Sequence, residues 1–351
     1  MRVVVVGATG NVGTSLLDRL AADPSVESIL GLARRIPDLE VPKVEWAEAD
    51  ITSADLAPLF AGAAAVVHLA WLIQPSHDPA HLRRTNVEGS ARLFRAVADA
   101  GVPALVYASS VGAYSRGPKD RAVDETWPTD GIATSFYSRH KAEVERRLDR
   151  FERERPEVRV VRLRPGLIFK REAASGIRRL FAGPFLVNPL LRPALIPVVP
   201  DIPRLRFQAV HSYDVGEAYR LAVTSDVRGA FNVAADPVLD PQELARILGA
   251  RRVPLPGGLV RAATALTWKV RLQPTPPGWL DLGLGVPVMD TTRAREELGW
   301  KPEHGADEAL LDLLAGLREG EGARTPPLDP ASGGAARSEE LSTGVGGRER
   351  L

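Results

Sequence analysis

The chain has no cysteine in 351 residues, which excludes disulfide frameworks, thiolate zinc and iron–sulfur centres, and a cysteine nucleophile. It has no excess of either charge: 45 Lys+Arg against 44 Asp+Glu leave +1, which argues against an extended nucleic-acid-binding surface. Lysine is scarce, six against 39 arginines, so a lysine inside a motif carries more information than an arginine. No signal-like segment precedes the first apolar run at Arg2, so a soluble cytoplasmic protein is expected. The longest apolar stretch, residues 181–200, contains no acid and only Arg192, yet prolines at 184, 189, 193, 197 and 200 break it. Repeated prolines remove helix hydrogen bonds and clash with the preceding turn, so stable membrane insertion is not expected. A buried loop or an apolar lid fits this stretch better.

What is present alternates between strand and helix. Residues 2–6 (RVVVV) form the continuous β-branched run of a strand buried on both faces. Further strands are expected at 28–33, 43–47, 64–69, 103–108 and 158–163, with helices over 12–20, 85–100 and 135–155. This order implies right-handed βαβ crossovers: an α/β, doubly wound parallel Rossmann sheet covered by helices on both faces. After Pro165 the regularity breaks. Residues 1–165 with 207–235 are expected to form the nucleotide-binding domain. Residues 166–206 with 236–317 should form a smaller, mainly helical substrate domain at the carboxyl edge of the strands, where open α/β sheets bind ligands. Residues 319–351 hold seven Gly, three Pro and ten charged residues, too little apolar surface to offset ordering entropy, and disorder is expected there.

Gly7-Ala8-Thr9-Gly10-Asn11-Val12-Gly13 follows the first strand and opens the first helix. Gly7 suits a tight turn, Gly10 a close backbone approach to a pyrophosphate, and Gly13 close helix–strand packing. The helix start offers free N–H groups and the positive dipole end. At the end of the second strand stands Leu32-Ala33-Arg34-Arg35, with no acid for ribose hydroxyls. Arg34 can pair with a 2′-phosphate, so NADP is favoured over NAD.

Tyr137 and Lys141 lie four apart on one helix face. A phenol with a pKa of about 10 is a poor acid–base near neutrality, and a neighbouring ammonium and a bound nicotinamide cation favour its ionised form. Ser109-Ser110 directly follows the fifth strand, where a hydroxyl can hold a substrate oxygen opposite the tyrosine.

Taken in order, several segments resemble the extended short-chain dehydrogenase/reductases, the NAD-dependent epimerase/dehydratase family. They are the glycine loop, Asp50-Ile51, His68-Leu69-Ala70, Asn86-Val87-Glu88-Gly89, Ser109 to Tyr114, Tyr137 with Lys141, Leu163-Arg164-Pro165, Val210 to Val215 and Glu297 to Pro302. The resemblance implies that Tyr137 is the general acid/base, that Lys141 lowers its pKa and holds the nicotinamide ribose, and that Ser110 orients the reacting oxygen. It further implies that Gly7, Thr9, Gly10, Asn11, Val12, Gly13 and Arg34 hold the dinucleotide, that Asp50 and Ile51 contact the adenine, and that Leu69, Ala70 and Trp71 run along the cofactor. Asn86 is expected at the cofactor site as an organising residue. His68 and His211 are expected to be packed or hydrogen-bonded, and no metal site is expected. A homodimer through the helices at 85–100 and 135–155 is the family's common assembly.

One departure bears on substrate. Leu167 stands where nucleotide-sugar members carry an asparagine, and Trp71-Leu72-Ile73, residues 181–199 and residues 259–272 with Trp268 are apolar. These segments either cover an apolar substrate or fill the core of the small domain. The expected activity is NAD(P)-dependent hydride transfer on a small-molecule, non-nucleotide, apolar carbonyl or alcohol. The other reading is a nucleotide-sugar epimerase or dehydratase with tightly bound NAD.

Overall fold

In the computed structural model, residues 1–73, 78–181, 196–270 and 275–330 are described. In chain order the elements begin with β1 (Arg2–Val6), α1 (Asn11–Ala22), β2 (Ser28–Ala33), β3 (Val44–Glu48), α2 (Ala57–Phe60), β4 (Ala65–His68) and α3 (Pro79–Arg83). A π-helical turn over Arg84–Gly89 leads into α4 (Ser90–Asp99) and β5 (Ala104–Ala108), then β6 (Ala122–Val123), α5 (Phe136–Glu154), β7 (Arg159–Pro165), β8 (Leu167–Phe169) and α6 (Ala174–Phe181). The remainder is β9 (Val198–Asp201), β10 (Ala209–His211), α7 (Ser212–Thr224), β11 (Gly229–Val233), α8 (Pro241–Leu248), β12 (Arg251–Pro254), α9 (Gly257–Lys269), α10 (Gly278–Gly285), β13 (Val288–Met289), α11 (Thr292–Glu296) and α12 (Ala306–Glu319).

Seven strands form one sheet in the order β11-β7-β5-β4-β1-β2-β3. Every neighbouring pair is parallel. The expected doubly wound Rossmann architecture is therefore present, and the order reverses between β1 and β4, where a crevice opens at the carboxyl ends. Alternation explains the valine run. Val3 and Val5 bury into a core shared with α1 and α7, whereas Val4 and Val6 bury into the opposite core under α4 and α5. All four are at most 3% exposed, as a strand covered on both faces requires.

The first core depends on close contact between α1 and α7. A Cβ on Gly216 would stand 2.9 Å from the Ser15 backbone, and the Ser15 and Ser212 hydroxyls meet at 2.9 Å. Trp300, fully buried, seals this layer by donating its indole N–H to the Asp214 carbonyl at 2.7 Å. The Asp214 carboxylate accepts from the backbone N–H groups of Glu303 and His304, so a buried acid ties α7 to the chain leading into α12. His211 caps α7 and stacks on His304 with ring centroids 4.3 Å apart, a packed role as expected.

Three expectations need correction or bounds. The helix expected over 85–100 begins as a π turn, which keeps Thr85 and Asn86 inward before the α-helical ladder resumes at Ser90. Residues 319–330, expected to be disordered, are packed: α12 runs to Glu319, and Thr325 and Leu328 are 1% and 4% exposed. Few large apolar side chains are present there, but backbone carbonyls bonded to α6 anchor the segment in their place. Of the apolar stretch 181–200, residues 182–195 lie outside the described residues. Among the described residues no helix is long and apolar enough to cross a membrane.

Gly216→Ala is expected to destabilise the protein by about 1–3 kcal/mol through overpacking, read as a lower denaturation midpoint with an unchanged slope. An unaltered midpoint would show that the α1–α7 contact relaxes freely.

Candidate functional site

At the carboxyl edge of the sheet a cleft of about 2010 Å³ is lined by residues from both halves of the chain. Gly7, Thr9, Gly10, Asn11, Val12, Gly13, Arg34, Asp50, Ile51, Leu69, Ala70, Trp71, Ser110, Tyr137 and Lys141 all line it. Asn86 does not.

The three loop glycines have distinct physical reasons. Gly7 adopts φ +85°, and a Cβ there would stand 2.6 Å from the Ala70 backbone nitrogen. Gly13 abuts the Ala8 carbonyl, where a Cβ would come within 2.5 Å. Gly10 is different: its Cβ position has only the Gly7 carbonyl near it, at 3.5 Å, so the backbone lies open toward the cleft. No side chain caps the first turn of α1, which leaves its N–H groups and dipole end available to an anion. Asn11 spans the cleft floor, donating through Nδ2 to the Ile168 carbonyl at 3.2 Å.

The chemistry-bearing side chains meet because α5 is fastened to the loop after β5. Ser138 Oγ donates to the Gly112 carbonyl and accepts from the Ile132 N–H at 2.6 Å. A Cβ on Gly112 would stand 2.7 Å from the Tyr137 ring, so only glycine lets the phenol lie against this loop. Ser110 Oγ accepts from the Gly112 N–H at 3.0 Å and sits beside the phenol. Lys141 Nζ donates to the Ala108 carbonyl at 2.6 Å and lies 3.6 Å from the centroid of the Trp71 indole, a cation–π contact.

Burial sets the electrostatics. Desolvation pushes the Tyr137 phenol up to about 12, and the Ser110 hydroxyl only partly offsets it. Desolvation likewise pulls the Lys141 ammonium down to about 7, against the raising influence of Glu145. The expected lowering of Tyr137 by Lys141 is not among the causes of its shift: loss of water governs, and the phenol is a proton donor. His68 is held down at about 3 by burial and then by the Lys141 charge, with Nε2 at 2.9 Å from Ser90 Oγ, so it is a neutral packed residue.

Two residue sets lie outside the motif reading. Glu145, one turn beyond Lys141 and fully buried, accepts from Ser109 Oγ at 2.5 Å, Arg164 at 2.9 and 3.1 Å, and Arg162 at 2.8 Å. Burial alone would raise its carboxyl, but the two guanidiniums, Arg164 foremost, hold it near 2. Its i+4 spacing from Lys141 was the signal available in the sequence. Trp279, at the start of α10, places its ring 5.0 Å from that of Tyr137, and Trp71 stands edge-on to Tyr137 at 6.0 Å. Leu282, Val286, Ile73, Val111 and Ile132 complete this apolar cluster around the phenol.

Two further expectations are revised. The Asn86 amide is paired in both directions with the Leu72 backbone, accepting at 2.7 Å and donating at 2.9 Å, so it braces the Trp71 loop from outside the cleft lining. Helix α9, expected to cover substrate or fill a core, has no buried residue and does not line the cleft; Leu259 and Leu266 are 69% and 64% exposed. Its inward side, with Val260, Ala265 and Trp268, is only half-buried, and Arg261 pairs with Asp281 at the surface. Residues 271 and 272 lie outside the described residues.

The fold and cleft define a Rossmann-type α/β enzyme with serine, tyrosine and lysine converging at the carboxyl end of β5. The profile of the NAD dependent epimerase/dehydratase family matches residues 3–234, and the chain belongs to that family. An uncharacterized protein of Mycobacterium tuberculosis is 28% identical over 91% of this chain, and the chain spans only 30% of that relative's length. The sterol-4-alpha-carboxylate 3-dehydrogenase, decarboxylating, of Candida albicans is 27% identical over 50% of this chain and 54% of its own. Among solved structures, the Thermus thermophilus UDP-glucose 4-epimerase in complex with NAD superposes with a TM-score of 0.66 at 23% identity, covering 91% of this chain and 99% of that one.

The buried Lys141 gives a pH signature. Its folded pKa lies below its unfolded one, so between about pH 7 and 10.5 the unfolded state binds the extra proton and stability rises with pH. Relative to Lys141→Met, the cofactor-free wild type is expected to gain stability across this window in denaturant titrations. Parallel pH profiles would contradict the buried placement.

Proposed function

We propose that the protein transfers hydride between NAD(P) and an apolar carbonyl or alcohol, with Tyr137 moving the proton. The observation that carries this reading is the convergence of Ser110, Tyr137 and Lys141 inside an aromatic and aliphatic cluster at the carboxyl edge of a dinucleotide-type crevice. The residues fit such a cofactor: Gly10 leaves the backbone open, and the start of α1 offers uncapped N–H groups where a diphosphate would bind. When bound, the nicotinamide supplies or accepts the hydride.

In the reductive direction Ser110 Oγ and the Tyr137 hydroxyl hold the substrate oxygen. As that oxygen gains negative charge, Tyr137 gives up its proton to it, forming the alcohol. Lys141, one helical turn away, stabilises the resulting phenolate in its ammonium form, and the phenol regains its proton once product leaves and solvent reaches the cleft. The high pKa of Tyr137 in the free cleft suits this direction, because the phenol enters the reaction protonated. Trp71, Ile73, Trp279 and Leu282 surround the phenol with mainly apolar surface, which favours an apolar scaffold over a hexose. Residues 1–165 with 207–235 would hold the dinucleotide and residues 166–206 with 236–317 the substrate side.

The Arg34 side chain lines the cleft just beyond β2, and in this reading it meets the 2′-phosphate of NADP. A nucleotide-sugar epimerase using NAD is the second reading, favoured by the overall likeness to the Thermus thermophilus epimerase. Turnover without added reductant and NAD retained through purification would support it over the first.

Tyr137→Phe is expected to keep dinucleotide affinity while lowering turnover on apolar carbonyl substrates by about 10²–10⁴-fold. Undiminished turnover would remove Tyr137 from the chemistry. Arg34→Ala should weaken NADPH by about tenfold or more and leave NADH nearly unchanged, as measured by fluorescence titration. Equal loss for both, or no loss, would contradict the NADP preference.

A further inference from the structure

Residues 322–330 line the same cleft as the phosphate loop. Their attachment to α6 is specific. Ser175 Oγ donates to the Leu328 carbonyl at 3.0 Å, and the Arg179 guanidinium donates to the carbonyls of Pro327 at 2.7 Å and Asp329 at 3.2 Å. The segment also closes on itself. The Ala323 N–H donates to the Leu328 carbonyl at 3.1 Å, and those of Leu328 and Asp329 donate to the Thr325 carbonyl at 2.9 Å. A Cβ on Gly322 would stand 2.2 Å from the Leu328 carbonyl, so the turn requires glycine there. Pro326, Pro327 and Pro330 reduce the freedom lost on ordering.

The position of this turn relates it to the cofactor. Lys170 Nζ donates to the hydroxyls of Thr14 and Ser15 at 2.6 and 3.0 Å, and Asn11 reaches Ile168, so β8 and Lys170 hang on the first turns of α1. Helix α6 starts four residues later and carries the turn, which lines the same cleft as the phosphate loop. Among the described residues, the buried polar atoms of the cleft lining that lack a partner include Asn11 Oδ1 at the loop, Trp71 Nε1 beside Lys141, and Thr325 Oγ1 in the turn, a residue only 1% exposed. Arg324 projects from the turn, is exposed and lines the cleft.

We infer that residues 322–330 are a strap that forms one wall of the dinucleotide site and retains the cofactor, with Arg324 reaching its diphosphate. The inference rests on the dinucleotide reading above. An arginine is suited to this place because its guanidinium gives charge-assisted hydrogen bonds to phosphate oxygens.

The test compares the full chain with a chain ending at Pro330, a chain ending at Glu321 and Arg324→Ala, using NADPH, NADH, ADP and adenosine as probes. The chain ending at Pro330 should match the full chain. The chain ending at Glu321, with folding checked by circular dichroism, should release reduced dinucleotide about tenfold faster or more in stopped-flow displacement. Arg324→Ala should weaken NADPH, NADH and ADP by about three- to tenfold and leave adenosine unaffected. Unchanged release from the chain ending at Glu321 would overturn the strap. If that chain does not fold, unchanged ADP affinity in Arg324→Ala would overturn it. A full chain that binds no dinucleotide would overturn the function proposed above, a result distinct from either.

Discussion

The Glu145 carboxylate is surrounded by two guanidiniums and a serine hydroxyl in the interior, and the geometry of the cleft depends on it. Arg162 and Arg164 both project from β7, Ser109 follows β5, and Glu145 lies on α5, so one anion fastens a helix to two strands. A lone carboxylate in this place would be strongly disfavoured, and removing one partner of such a cluster characteristically costs several kcal/mol. With α5 fixed in rotation and height, Tyr137 and Lys141, two turns and one turn earlier, face Ser110 and Ala108.

A second constraint is steric. Gly112 lets the Tyr137 ring lie on the loop after β5, Gly7 lets the loop after β4 lie on the phosphate turn, and Asn86 holds that same loop by the Leu72 backbone. Trp71 is thereby placed against Lys141, and α10 brings Trp279 against Tyr137 from the other side. Water is excluded from the acid–base pair by aromatic surface, and the same exclusion raises the tyrosine and lowers the lysine. The apolar surroundings and the perturbed titration are one physical fact seen twice.

Much of this was legible in the sequence because it is local. The valine run, the glycine loop and the Tyr137/Lys141 spacing each announce a strand, a turn or a helix face within a few residues. The role of Asn86 was not legible, since an asparagine at a helix start reads equally well as a cofactor ligand or a loop brace. Only the two-way pairing with Leu72 decides between them. Helix α9 was misleading for another reason: apolar composition does not reveal which face meets the protein, and Leu259 and Leu266 turn outward. The C-terminal segment was misjudged because composition counts apolar side chains, whereas Leu328 and its neighbours are anchored chiefly through backbone carbonyls that accept from Ser175 and Arg179. Glu145 and Arg164 were individually visible, but their meeting depends on strand order, which no short window contains.

The central claim is that this cleft binds a nicotinamide dinucleotide that exchanges with solvent and serves as a co-substrate. Native mass spectrometry and the absorbance spectrum of the purified protein, followed by NADPH and NADH titration, test it most directly. The account predicts a protein that purifies without cofactor and binds reduced dinucleotide at one site per chain, NADPH more tightly. Recovery of stoichiometric, non-exchanging NAD would contradict the co-substrate role and place the chain with the internal-redox epimerases, and absence of any binding would contradict the site itself.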